Sequence, residues 1–270
     1  MDDLEKTLEE TEFAEARTPT QHLDVLNKLM EQIAFSYYYD NGDEFTGSFV
    51  VAVEYGHVDV VKDLLENAGV DVNAKEINGW TALHYAASYG HVAVVETLLE
   101  QANVDVLVKT NTGDTALHHA VMDRHVDVVK ILLDVGVDAN ARGGDGTTAL
   151  HPAAMDGSLA IVKLLLGHVS VNVNAKCEYD WTALHWAACF GCIDVYDGVK
   201  VNAKSNDGST ALHHAADCGY VNVIKAFLQH DGKTALDYAK DSCDVLYAEN
   251  GRHSEDHQEV MELLIAAGGR

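Results

Sequence analysis

Positive charge is scarce in this 270-residue chain: 18 Lys and Arg stand against 43 Asp and Glu, a formal net charge of −25. So acidic a surface repels the phosphate backbone of nucleic acids and the anionic faces of membranes. It favours partners with basic surfaces and steers them over long range, and it also keeps a chain in solution. Cysteine offers no disulfide framework. The five residues are odd in number and irregularly spaced, which points to a reducing compartment, the cytoplasm or the nucleus. No apolar run approaches the roughly 18 residues that a membrane span requires. The opening Met1-Asp2-Asp3-Leu4-Glu5 is acidic where an export signal would be basic and then apolar. Also missing are Gly-x-Ser-x-Gly, P-loop, His-Glu-x-x-His and paired-carboxylate patterns. Asp40-Asn-Gly-Asp-Glu44 is too short and misspaced for a calcium loop and reads as a solvated turn. These absences predict a chain that is no enzyme, holds no cofactor or metal, and works as a monomer on another protein. Its 47% hydrophobic content is ample for a core.

What the chain has in abundance is repetition. The phrase Thr81-Ala-Leu-His-Tyr-Ala-Ala87 returns at Thr115-Ala-Leu-His-His-Ala-Val121, Thr148-Ala-Leu-His-Pro-Ala-Ala154, Thr182-Ala-Leu-His-Trp-Ala-Ala188 and Thr210-Ala-Leu-His-His-Ala-Ala216. A weaker copy is Thr234-Ala-Leu-Asp-Tyr-Ala-Lys240. The first four threonines lie 34, 33 and 34 residues apart. A second phrase follows in phase, as in Gly90-His91-Val92-Ala93-Val94-Val95 before Leu98-Leu99. A third closes the unit: Asp71-Val-Asn-Ala-Lys75, Asp138-Ala-Asn-Ala-Arg142, Asn172-Val-Asn-Ala-Lys176 and Val201-Asn-Ala-Lys204.

Threonine at the head of each phrase suits a helix N-cap, and the Ala and Leu behind it favour helix. Leu83, Ala86 and Ala87 share one face. Gly90 suits a left-handed helix end. Val92, Val95, Leu98 and Leu99 predict a second amphipathic helix, and Lys75-Glu-Ile-Asn-Gly79 a β-hairpin tip. So small a unit buries its apolar faces only by stacking on neighbours.

Period and phrases together resemble the ankyrin-repeat family. The resemblance runs from about residue 45 to the end. It implies an all-α repeat solenoid, an ankyrin stack of helix-turn-helix units with short β-hairpin loops. About six to seven repeats are expected, including degenerate terminal ones. Gly56-His57-Val58-Asp59-Val60-Val61 with Leu64-Leu65 marks a divergent first repeat. Residues 1–44 form an acidic lead, with a capping helix about 19–38 introduced by Thr18-Pro19-Thr20-Gln21. The repeat domain, 45–270, is regular over 45–190. Shortened repeats fill 191–240, an insertion 241–255, and a closing helix 256–267.

The array departs from its family in several places. From Thr182 to Thr210 is 28 residues, and from Thr210 to Thr234 is 24. Alanine stands second in every phrase, where the family favours proline. Pro152 falls inside a helix, where its missing N–H loosens a turn. Arg124 and Asp180 occupy glycine positions that favour positive φ.

Candidate functional residues follow from both readings. His84, His118, His151, His185 and His213 recur at one place in the phrase, where the resemblance implies a hydrogen-bonding role. It also implies a concave binding face of first helices and hairpin tips. There the variable residues include Trp80, Tyr85, Tyr89, Asp114, His119, Met122, Asp123, Tyr179, Trp181, Trp186 and Phe190. Exposed aromatics serve as interface anchors, whereas Trp80 and Trp181 equally suit packing on the next repeat. The expected function is a non-catalytic adaptor or inhibitor that grips a basic partner protein. The alternatives are a metal or redox-sensing protein centred on Cys189, Cys192 and Cys218, or an accessory region of a larger enzyme complex. Asn73, Asn140, Asn174 and Asn202 match the hairpin asparagine that asparaginyl hydroxylases modify in this family.

Overall fold

The computed structural model describes residues 44–231, apart from Ala68, Val169 and residues 193–199. The lead with its expected helix at 19–38, the insertion and the closing helix lie outside the described residues, as does residue 196 and its neighbours in the shortened repeat.

All regular structure among the described residues is helical. Two compact units divide the chain after Val137. The first holds α1 (Glu44–Glu54), α2 (Val58–Asn67), α3 (Ala82–Ser88), α4 (Val92–Leu99), α5 (Ala116–Met122) and α6 (Val126–Asp134). The second holds α7 (Leu150–Met155), α8 (Leu159–Gly167), α9 (Ala183–Phe190), α10 (Ala211–Cys218) and α11 (Val221–Asp231). Odd and even helices form two rows in the first unit: α1 packs on α3 and α3 on α5, while α2 packs on α4 and α4 on α6. In the second unit α9 lies between α7 and α10, with α8 behind α7 and α11 behind α10.

The first helices from α3 onward, α3, α5, α7, α9 and α10, open on a threonine–histidine pair. The Thr81 backbone N–H donates to His84 Nδ1 at 3.1 Å, and Thr81 Oγ1 lies 2.8 Å from the same nitrogen. The pattern recurs at Thr115/His118, Thr148/His151, Thr182/His185 and Thr210/His213. Nδ1 accepts, so the ring proton sits on Nε2. The His151 Nε2–H spends it on the Trp181 carbonyl one repeat on, at 3.1 Å. Histidine thus does the work that glutamate does in an ordinary capping box.

Small residues line the first helices and let them approach closely: Ala86, Ala87, Ala120, Ala153, Ala154, Ala187, Ala188, Ala215 and Ala216 are buried. Behind them the second helices contribute larger side chains. In α4 the buried stripe is Val94, Val95 and Leu98 with Thr97, not the expected Val92, Val95, Leu98 and Leu99. A second-row helix meets its own first helix and both neighbours, so its buried arc turns away from the single face that periodicity selects.

The hairpin tips close as five-residue turns with no strand among the described residues. Glu76 N–H donates to Trp80 C=O at 2.9 Å and Gly79 N–H to Glu76 C=O at 2.7 Å. That is a turn ending in a left-handed residue, Gly79 at φ 76. A Cβ on Gly79 would stand 2.7 Å from the Asn111 backbone nitrogen of the next tip. The tips are zipped there by Asn111 N–H to Asn78 C=O, 2.9 Å.

The hairpin asparagines complete the stapling. Asn73 donates Nδ2–H to the Asn103 carbonyl at 2.7 Å and accepts the Asp105 N–H at 2.8 Å. Asn140 does the same with Ser170 and Asn172, both at 2.7 Å, and Asn174 accepts the Lys200 N–H at 2.7 Å. His91 and His125 add bonds from Nε2 to the Glu54 and Ser88 carbonyls, 2.8 Å each. Their rings lie over Gly56 and Gly90, where a Cβ would collide with them.

Pro152 removes little. In sibling repeats the equivalent N–H makes a long bond of 3.3–3.4 Å to the capping Thr carbonyl, as in Tyr85 to Thr81 and Trp186 to Thr182. Arg124 and Asp180 do adopt positive φ, 63 and 56. Arginine in this region costs roughly 1 kcal/mol, and aspartate less. Arg124→Gly is therefore expected to raise stability by about 0.5–1 kcal/mol, read as the shift in the urea unfolding midpoint. Asp180→Gly is expected to stay near zero, because it also gives up the exposed Lys176–Asp180 ion pair at 3.2 Å.

Candidate protein-binding surface

In the first unit the free ends of the odd helices and the hairpin tips bring together carboxylates and rings. Tyr89 is half exposed at the end of α3, and its hydroxyl donates to Glu54 Oε1 at 2.9 Å. The Tyr85 hydroxyl reaches Glu76 Oε2 at 3.4 Å, and Ser88 Oγ donates to Asp123 Oδ2 at 2.6 Å. Each of these carboxylates meets a hydroxyl, and among the described residues no Lys or Arg stands at ion-pair distance from them. Met122 and Tyr55 are exposed beside them, and Asp114 is half-buried at its tip.

Glu76 is the outlier. It occupies the tip position that Thr110 and Ser205 fill in other repeats, where a short side chain folds back on the turn. Its longer chain carries the carboxyl into the interior, only 9% exposed. Burial raises its pKa from 4.5 to about 7; the Tyr85 hydroxyl opposes this and the Glu54 charge adds to it. The Tyr89 hydroxyl is pushed up to about 12, by burial first and then by its bond to Glu54.

Trp80 is half-buried. It packs between Tyr85 of its own repeat, ring centroids 4.9 Å apart, and His119 of the next, 4.2 Å. His119 itself is buried, so it reaches a partner only by supporting Trp80. Burial lowers its pKa, against the pull of Asp114 and Asp123. The second unit repeats the arrangement: Trp181 lies 4.3 Å from His214 and 5.9 Å from Trp186. Trp186 stacks on Phe190 at 6.2 Å with planes 7° apart. Tyr179 is 62% exposed and Phe190 50%. Burial and then the neighbouring histidine hold His84 and His185 at about 4, so both are neutral caps at physiological pH.

Trp80 and Trp181 therefore brace the stack, while Tyr89, Met122, Asp123, Tyr179 and Phe190 face outward. Glu54 and Glu76 escaped the sequence reading. Glu54 was within reach of it, since it stands one period before Ser88. His119 and His214, each following a capping histidine, are the ones that receive the tryptophans.

The cysteines do not form one centre. Cys189 and Cys218 place their sulfurs 4.0 Å apart, whereas Cys192 Sγ lies 3.5 Å from the Met155 carbonyl. No group of three or more His, Cys, Asp or Glu side chains among the described residues is arranged to hold a metal ion. No helix among them is long and apolar enough to cross a membrane.

Glu76 binds its proton more tightly folded than unfolded. Its contribution to stability is present in full below pH 4.5 and is lost as pH rises towards about 7. Glu76→Gln is expected to be nearly neutral at pH 4.5 and stabilising by on the order of 2–3 kcal/mol at pH 8. Urea unfolding of both proteins across that range checks it, since titrations common to both cancel in the difference. A gain independent of pH would show that Glu76 is not buried as described.

Comparison with known families agrees with this architecture. The family model for ankyrin repeats in three copies matches residues 49–143 and 135–197, and the model for a single ankyrin repeat matches residues 207–238. No curated protein matches the chain. Ankyrin repeats are protein–protein interaction modules. Helix pairs in two rows, histidine caps and asparagine staples at a 33–34-residue period, with models matching more than half of its length, place this chain in the ankyrin-repeat family.

Proposed function

We propose that the chain is a non-catalytic adaptor or inhibitor that binds a basic segment of a partner protein. The surface it uses is built from first-helix ends and hairpin tips. The observation that carries this reading is the pair Glu54 and Asp123, whose carboxylates meet the Tyr89 and Ser88 hydroxyls among the described residues, beside exposed aromatic surface and above the buried Glu76. A lysine or arginine of the partner supplies the missing cation, and a guanidinium or ammonium over a tyrosine face adds attraction of about 0.5–2 kcal/mol. Trp80, Tyr85, Asp114 and Met122 flank this centre, and Tyr179, Trp181, Trp186 and Phe190 offer a second aromatic patch in the other unit. The excess of acid over base supports a basic partner and argues against nucleic acid and membrane as targets. A monomer suffices for this role, in the cytoplasm or the nucleus.

The expected behaviour is specific. Immobilised wild-type chain should retain a Lys/Arg-rich peptide with an affinity that falls steeply with salt. Tyr89→Ala and Glu54→Gln should each weaken retention at least fivefold in the first unit, and Phe190→Ala should test the second patch. Equal retention by wild type and all three variants would reject the surface.

Hydroxylation of Asn73, Asn140, Asn174 and Asn202 is a further part of the proposal. The first three amides are engaged with the next repeat, so an enzyme would reach them only by local opening of a tip. Peptide mapping of the native protein is expected to show a gain of about 16 Da on these residues, the mass of one oxygen added in a covalent modification. Unmodified asparagine at all four sites would dismiss it.

A further inference from the structure

Cross-repeat side-chain pairs follow a rule. The residue two before a left-handed helix end meets the residue one before that end in the next repeat. Glu54 meets Tyr89 at 2.9 Å across 35 residues, and Ser88 meets Asp123 at 2.6 Å across 35. Cys189 meets Cys218 at 4.0 Å across 29. The last separation is six shorter because the repeat beginning at Thr182 is six residues short. That deletion falls beyond α9, so α9 and α10 keep the register of their siblings.

The first two pairs are good hydrogen bonds between a hydroxyl and a carboxylate. Two thiols are weak donors and weak acceptors, so as a hydrogen-bonded pair Cys189 and Cys218 stabilise little. Their backbones are nonetheless held firmly. Leu184 and Ala188 of α9 pack with Ala211, Leu212, Ala215 and Ala216 of α10 in one buried cluster. Cys189 is half-buried beside this cluster and Cys218 is exposed. The pair is thus held on packed helices and open to small solutes, with the sulfurs 4.0 Å apart against the roughly 2.05 Å of a disulfide.

We propose that Cys189 and Cys218 form an oxidation site that closes to an intramolecular disulfide in response to a peroxide. Cys189, as thiolate, attacks one oxygen of hydrogen peroxide. A sulfur–oxygen bond forms, the oxygen–oxygen bond breaks, and the departing hydroxide takes a proton to leave as water. Cys218 then gives up its proton and its sulfur attacks the Cys189 sulfenic acid. The sulfur–sulfur bond forms, the sulfur–oxygen bond breaks, and a second water leaves. Two thiols are oxidised by two electrons and the peroxide is reduced to two waters. Partial burial, then the neighbouring Cys189 and Asp217, push the Cys218 thiol up, and the step balances equally with the two sulfurs in exchanged roles. A cross-link of this kind is transient in a reducing compartment. While it lasts it ties α9 to α10 across the repeat that has lost part of its length.

The test uses the full chain, reduced and then exposed to hydrogen peroxide. Remaining thiols are alkylated and a non-reducing digest is mapped by mass spectrometry. The expected product is a Cys189–Cys218 linked peptide, reversed by dithiothreitol and undiminished in Cys192→Ser. In Cys218→Ser, dimedone should instead label Cys189, and Cys218→Ala should behave alike, with circular dichroism confirming that both fold. Amide exchange in α10 should slow at least tenfold in the oxidised protein. A Cys189–Cys192 link, a link between molecules, or unlinked thiols under conditions that oxidise a free cysteine peptide would each overturn the assignment.

Discussion

Everything in this chain depends on contact between one repeat and the next. A pair of helices of six to eleven residues is too short to persist alone in water. A few recurring side chains are reserved for the seam. Threonine and histidine cap the first helix, and the His151 ring donates its remaining proton to the Trp181 carbonyl of the following repeat. Asparagine satisfies two backbone groups of the next tip at once. The turn histidine closes over the glycine behind it. These bonds saturate backbone groups that a buried seam would otherwise leave unpaired, and each unmade bond would cost about 1–3 kcal/mol.

The same seam produces the surface. Once the first helices are locked in register, their last exposed residues stand in diagonal pairs, and the chemistry of each pair is free to vary. Glu54 with Tyr89 and Ser88 with Asp123 give acidic, hydroxyl-bridged ground in the first unit. Cys189 with Cys218 gives an oxidisable pair in the second. Function in such a protein is written in residues that the fold does not need, on positions that it fixes.

That division explains what could be read from the sequence. The period, the capping threonines, the left-handed glycines and even the strained Arg124 and Asp180 are local or strictly repeated, and they appear in the structure where the sequence puts them. The buried stripe of α4 was misplaced because a helix covered on several sides obeys no single-face rule. The tips were expected as β-hairpins, and two backbone bonds within each five-residue turn close them without strands among the described residues. Trp80 and Trp181 could not be divided between anchor and brace until His119 and His214 were seen beneath them. Glu76 was invisible because its burial comes from side-chain length at a turn, a detail that no periodicity records.

The central claim is that the outward ends of the odd helices and the hairpin tips meet a cationic partner. Hydrogen exchange of the full chain with and without a bound Lys/Arg-rich peptide tests it most directly. The account predicts added protection at tips 76–80 and 110–114 and at the C-terminal ends of α1, α3 and α5, with α2, α4 and α6 unchanged. Protection confined to the second-row helices would contradict it.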